Sequence, residues 1–214
     1  MDIDIIKQIA ISEVLNPTFE LTKQYLKSNS LCFENNLPYI EDVEINKDKN
    51  TAAVYFPIRK EHFYFVIYVE NLEVEWMGMS AGNRVYLFAS SEEISTEQIV
   101  DFLGFEPTEK WNMNDPIGCN SNFKHKNNGI RYEPIHKMTG EVETKLENLL
   151  DNLLPYKEAI IELSPKASIE IQVTYYGHKD QMWGINLDAK TARKLSELEL
   201  AIDVDLYAGG NDIE

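Results

Sequence analysis

Ser168-Ile169-Glu170-Ile171-Gln172-Val173-Thr174-Tyr175-Tyr176 sets Ile169, Ile171 and Val173 against Glu170, Gln172 and Thr174. A period of two belongs to an extended strand with one dry face and one wet face. Upstream, Leu146, Leu149, Leu150, Leu153 and Leu154 recur at i, i+3, i+4, i+7 and i+8, which places them on one stripe of a helix over residues 141–154. The leucines are read as core, not as a cofactor box. A half-wet strand and a one-striped helix fit together when helices cover one face of a mainly antiparallel sheet. The pair therefore predicts the α+β class.

The same reading extends outward along the chain. Val85–Ser90 predicts a strand. Ser95 with Gln98 forms a capping box before the apolar stripe Ile99, Phe102 and Leu103, and Gly104 ends that helix. Residues 104–128, with Pro107, Pro116, Gly118 and many asparagines, read as a long loop. Ile130–Ile135 predicts a strand, and Pro155 opens a second helical piece through Ile161. Gly177–Gln181 reads as a turn, Met182–Leu187 as a strand, Asp188 as the cap of a short helix, and Ala201–Tyr207 as the closing strand. From residue 83 the order is β-α-(loop)-β-α-β-β-α-β, a ferredoxin-like arrangement.

The first part of the chain starts helically. Asn16 and Pro17 predict a short helix near residues 17–27. Thr51–Ile58, His62–Val69 and Leu72–Met79 predict a β-meander. Phe63–Val69 is nearly all apolar or aromatic, as in a central strand covered on both sides. In Glu73-Val74-Glu75-Trp76 the alternation points Val74 and Trp76 inward. Ser80-Ala81-Gly82-Asn83 reads as a hairpin turn between two regions, residues 1–80 and residues 81–214, with the first packed on or continuous with the second.

Composition narrows the function. In 214 residues, 20 Lys+Arg face 36 Asp+Glu, a net charge of −16. That field repels nucleic-acid phosphates and favours a basic protein partner. No apolar run reaches the roughly 20 residues that span a bilayer, and Met1-Asp2-Ile3-Asp4 carries acids where a secretory signal carries basic residues. The expectation is a cytoplasmic protein with no membrane and no nucleic-acid partner. Cys32 and Cys119 are read as free thiols, and the scattered histidines predict no metal site and no cofactor.

Tyr86-Leu87-Phe88-Ala89-Ser90-Ser91, Ile99-Val100-Asp101-Phe102-Leu103-Gly104-Phe105-Glu106-Pro107-Thr108, the leucine helix, Trp183-Gly184-Ile185-Asn186-Leu187 and Ile202-Asp203-Val204-Asp205-Leu206-Tyr207 together carry a resemblance. Over about residues 83–208 the chain resembles the bacterial domain of unknown function 4279 family. The resemblance implies a fold and no reaction. The sequence departs from the family after Thr108, where Asn112-Met113-Asn114-Asp115 stands in place of a lysine-glycine-aspartate turn, and Tyr132 or Ile130 replaces a tryptophan.

Asp203 and Asp205 share one strand face, and Glu170 joins them if the two strands are neighbours, with Tyr176 and Tyr207 beside them. Such a patch suits a basic partner or is a solvated sheet face. Trp111, in the long loop with Asp115, is either a plug on the core or an exposed contact aromatic. Lys124, His125, Lys126, Arg131, His136 and Lys137 form a basic cluster that is a solvated loop, a dock for an anion, or a dock for the chain's own acids. No nucleophile elbow, phosphate loop or motif-linked Cys–His pair is present, and no catalytic residue is assigned. The expected function is a non-enzymatic acidic protein-binding module, an immunity or inhibitor protein that neutralises a basic toxin or nuclease. Contact residues are Trp111, Asp115, Glu170, Tyr176, Asp203, Asp205 and Tyr207. The alternatives are a small-molecule sensing or scaffold domain and an enzyme of unrecognised type.

Overall fold

The computed structural model describes residues 2–118 and 120–212. Cys32 is a free thiol, and Cys119 lies outside the described residues. The chain is α+β, with mostly antiparallel pairing in two main sheets. No described helix is long and apolar enough to cross a membrane.

The first sheet follows α1 (Ile3–Leu15), α2 (Glu20–Ser28) and a small hairpin, β1 (Phe33–Glu34) with β2 (Leu37–Pro38). It is an antiparallel meander in the order β3 (Asp42–Asn46), β4 (Thr51–Pro57), β5 (Tyr64–Glu70) and β6 (Glu73–Ser80). Ile6, Ala10 and Val14 of α1 pack with Val54, Phe56, Phe65, Ile67 and Val69 on one face. Tyr55, Tyr64 and Val66 are buried on the other, with Met138 packed against them. The apolar run in β5 is thereby explained: the strand is central and covered on both sides.

Three local expectations up to the second sheet need correction. The second helix begins at Glu20, not at Pro17, and its N-cap Phe19 has no capping side chain. Glu13 of α1 does that work: its carboxylate accepts from Thr18 N, Thr18 Oγ1 and Phe19 N at 2.6–3.2 Å. Trp76 does not point inward. A bulge sets Val69 opposite Val74 but Tyr68 opposite Trp76, so the extra residue Glu75 reverses the alternation. Trp76 therefore lies against Tyr68, ring centroids 5.0 Å apart, and is half exposed.

The third concerns the turn at residues 80–83, which is not a hairpin. β6 pairs with β5, whereas β7 (Gly82–Ser91) belongs to the second sheet, so the chain crosses between sheets through Ala81 alone. Only glycine fits at 82, because a Cβ there would sit 1.9 Å from the His62 carbonyl oxygen. Asn83 N then donates to Met138 O at 2.9 Å.

The second sheet has the order β13-β12-β7-β11-β8, where β8 is Glu109–Trp111, β11 Asn128–Tyr132, β12 Ser168–His178 and β13 Ala201–Gly209. Helices α3 (Thr96–Leu103), α4 (Val142–Leu153), α5 (Lys157–Leu163) and α6 (Ala189–Glu197) close its core. Leu87, Ala89, Ile130, Ile171 and Val173 meet Ile99, Leu103, Leu146, Leu149, Leu153 and Leu163. Both the capping box at Ser95 and the left-handed Gly104 are present. Met182–Leu187, expected as a strand, pairs with no strand among the described residues; α6 instead carries the chain over so that β13 lies parallel to β12. Nor is the 104–128 stretch structureless: it supplies β8 and a hairpin of β9 (Pro116–Ile117) with β10 (Asn120–Lys124).

One buried cation pins α4 to the start of β7 and to the segment that follows β11. Lys145 of α4 is 3% exposed, and its Nζ donates to Asn83 O at 2.8 Å and Lys137 O at 2.7 Å. Burial without a carboxylate partner pushes its amine down to about 8.

Candidate functional site: the open face of the second sheet

Alternation along each strand fixes what the uncovered face presents. The apolar residues of β12 face the helices, so Glu170, Gln172, Thr174 and Tyr176 face away from them. Register then sets their neighbours: Glu170 lies opposite Phe88, Gln172 between Tyr86 and Asp203, Thr174 between Arg84 and Asp205, and Tyr176 between Gly82 and Tyr207. Arg131 on β11 stands across from Phe88. The face divides into a basic-aromatic half on β7 and β11 and an acidic half on β12 and β13.

Every arginine in the basic half is matched. Arg84 forms a two-pronged pair with Glu133, which is 1% exposed, and the guanidinium is held above its usual range by that hydrogen-bonded carboxylate. Arg131 donates to Glu109 at 2.7 Å. Both guanidiniums lie over the Tyr86 ring, at 5.6 and 4.6 Å from its centroid.

The acidic half is not matched. Gln172 Nε2 donates to Asp203 Oδ2 at 3.3 Å and Asp205 Oδ2 at 3.1 Å, a neutral amide between two exposed carboxylates. Among the described residues neither aspartate has a basic partner, and Glu170 has none either. Beside them the Tyr176 and Tyr207 rings stack at 5.2 Å and 15°, with His62 of the first sheet's side 5.1 Å from Tyr176. Burial, then the Tyr207 neighbour, pushes the Tyr176 hydroxyl up. Tyr207 is half exposed.

The structure thus brings Glu170, Tyr176, Asp203, Asp205 and Tyr207 onto the acidic half of the face, buries Trp111 against Phe88 in the other half, and leaves Asp115 in the flanking loop. Trp111 is 8% exposed, sandwiched between Phe88 at 5.6 Å and His125 at 4.8 Å. It lies so close over Gly129 that a Cβ there would be 2.4 Å from the ring. Trp111 is the plug, not an exposed contact. Asp115 braces the same loop, accepting from Asn112 N at 2.7 Å through its side chain and from His125 N through its carbonyl. The basic cluster disperses: Lys137 reaches the chain's own Asp42 and Glu44, Arg131 turns to Glu109, and His136 lies 3.7 Å from Glu133. Arg84 and Tyr86, not singled out from the sequence, are the floor of the face; their alternation with Val85 and Leu87 is the signal that places them there.

The sequence model of one family, described as Domain of unknown function (DUF4279), matches residues 80–209. That span begins at the crossover and takes in the whole second sheet. No curated protein and no solved structure matches the chain.

Proposed function

The chain belongs to the DUF4279 family, and from that premise we propose that it is a non-enzymatic binding module whose open sheet face engages a basic protein, as an immunity or inhibitor protein does with a toxin or nuclease. One observation carries the reading: Glu170, Asp203 and Asp205 stand unneutralised on the same face as a tyrosine stack whose outer ring, Tyr207, is half exposed, while the arginines on that face are internally paired. Unpaired surface carboxylates steer a basic partner and raise its association rate, and tyrosine and arginine are the side chains that most often anchor protein interfaces. The charge of −16 extends that attraction beyond the patch.

The test is capture from source-cell lysate on the immobilised chain, washed at low and at high salt and read by mass spectrometry. A basic protein retained at low salt and released as the Debye length shrinks from about 10 Å toward 3 Å supports the reading. An empty column at both salts contradicts it. Inhibition of the captured protein's own activity separates an inhibitor from a passive binder.

A further inference from the structure

At the seam between the sheets lies a cleft of about 310 Å3, away from the open face and independent of the protein-binding reading. Its walls come from the crossover at residues 79–83, the start of α4, and the segment 181–184.

Two wall residues each carry a buried polar atom that has no partner among the described residues. Asn83 is 3% exposed; its Nδ2 donates to Gly140 O at 2.7 Å, which fixes the amide's orientation and leaves Oδ1 unsatisfied. Trp183 lays its ring on Gly177, and its Nε1–H is buried without an acceptor. Buried polar atoms are mated in the great majority of folded proteins, so an orphan acceptor and an orphan donor on one cleft call for an occupant that supplies both complements. The start of α4 adds further donors, because its N-cap Glu141 makes no side-chain cap. An anion is disfavoured there by the Glu141 and Glu143 carboxylates, which lack a basic partner among the described residues. The Glu141 carboxyl is accordingly held above its usual range by burial and by Glu143 and Glu44.

We infer that this cleft binds a positively charged carboxamide, either a free amino-acid amide or the backbone of a basic peptide segment. The ligand N–H meets Asn83 Oδ1, its carbonyl meets Trp183 Nε1–H or the first turn of α4, and its cation lies toward Glu141. Both orphan atoms are closed to solvent, so entry requires the 181–184 segment to shift. That segment is neither helix nor strand, carries the fully exposed Met182, and is held by Gln181 Nε2 on Met79 O and by the Tyr175 hydroxyl on Gly184 O, both at 3.0 Å.

The experiment is an amide-resolved NMR titration of the full chain with lysinamide, acetamide and a short acetylated oligolysine amide. The expected result is saturable shifts for lysinamide at the Trp183 indole N–H, the Asn83 side-chain amide and the Val142 and Glu143 backbone amides, with a millimolar-range Kd. Acetamide, lacking the cation, binds about tenfold more weakly. Trp183→Phe keeps a ring on Gly177 but loses the N–H, and weakens lysinamide about fivefold as read at Val142 and Glu143. Absence of saturable shifts at these positions, equal binding of acetamide and lysinamide, or an unchanged Kd in Trp183→Phe overturns the inference. Tighter binding of the oligolysine than of lysinamide assigns the cleft to a protein segment, and the reverse assigns it to a free small ligand.

Discussion

The two sheets spend the same kinds of residue differently. In the first, β5 has helices on one side and a tyrosine cluster on the other, so its aromatic and branched side chains are consumed by packing. In the second, one face closes over the leucines of α4 while the other carries arginines over a tyrosine, a tyrosine stack and a row of carboxylates. Substitutions in the first sheet should therefore change stability alone. On the open face of the second, substitutions should change binding with little effect on stability. The seam, where Gly82, Asn83 and Lys145 meet, couples the two.

The largest expected effect attacks that seam. Gly82→Ala forces a Cβ to within 1.9 Å of a backbone oxygen that cannot swing away. It should cost about 3 kcal/mol or more in denaturant unfolding. Gly129→Ala, which pushes on the Trp111 ring and the Ala89 carbonyl, should cost about 2 kcal/mol. A wild-type midpoint in either variant would mean that the close approach is not built into the fold.

Lys145 gives the comparison a pH axis. Its folded amine is pushed down to about 8 from an ordinary 10.5, so between those values the unfolded chain binds more protons than the native one. Stability should rise with pH across that window, by on the order of 3 kcal/mol for this group alone. Burial raises the hydroxyls of Tyr55 and Tyr64, the latter to about 12, and these act oppositely above pH 10. The observable is therefore the difference between wild type and Lys145→Met across pH 8–10: the rise belongs to wild type, and parallel curves would refute it.

A smaller loss comes from the helix junction of the first region. Glu13→Gln weakens the cap over Thr18 and Phe19 and should cost about 1 kcal/mol. Hydrogen bonds from Thr18 and Phe19 overcome the upward push of burial and hold this carboxylate below its ordinary 4.5. Its contribution is present above pH 4.5 and is lost as pH falls through the lower folded value, a dependence Glu13→Gln should abolish.

Much of this division was legible in the chain. The alternation in residues 168–176 and 201–207 put Asp203 and Asp205 on one strand face and Glu170 on the wet face of its own strand, because the period of two does not depend on the neighbour; the pairing of β12 with β13 is what joins the three. What the sequence left open were choices made by tertiary context. Trp183 and Ile185 alternate as a strand would, yet they pack against the helix-side core because the Trp183 ring finds its seat on Gly177. One extra residue at Glu75 inverted Trp76, and a bulge has no single-sequence signature. The real cap of the second helix sits one helix upstream, beyond the local window in which Asn16 looked like the cap. Trp111 was recognised as plug or contact, and Gly129, eighteen positions on, decides for the plug.

The most direct measurement compares wild type with the triple variant Glu170→Gln, Asp203→Asn and Asp205→Asn in quantitative capture from source-cell lysate at low salt. Exposed and partly exposed carboxylates without ion pairs leave stability within about 0.5 kcal/mol, so unfolding midpoints should coincide. The account predicts that a basic protein held by wild type is lost from the variant. Equal recovery of the same protein on both would place the binding surface elsewhere and contradict it.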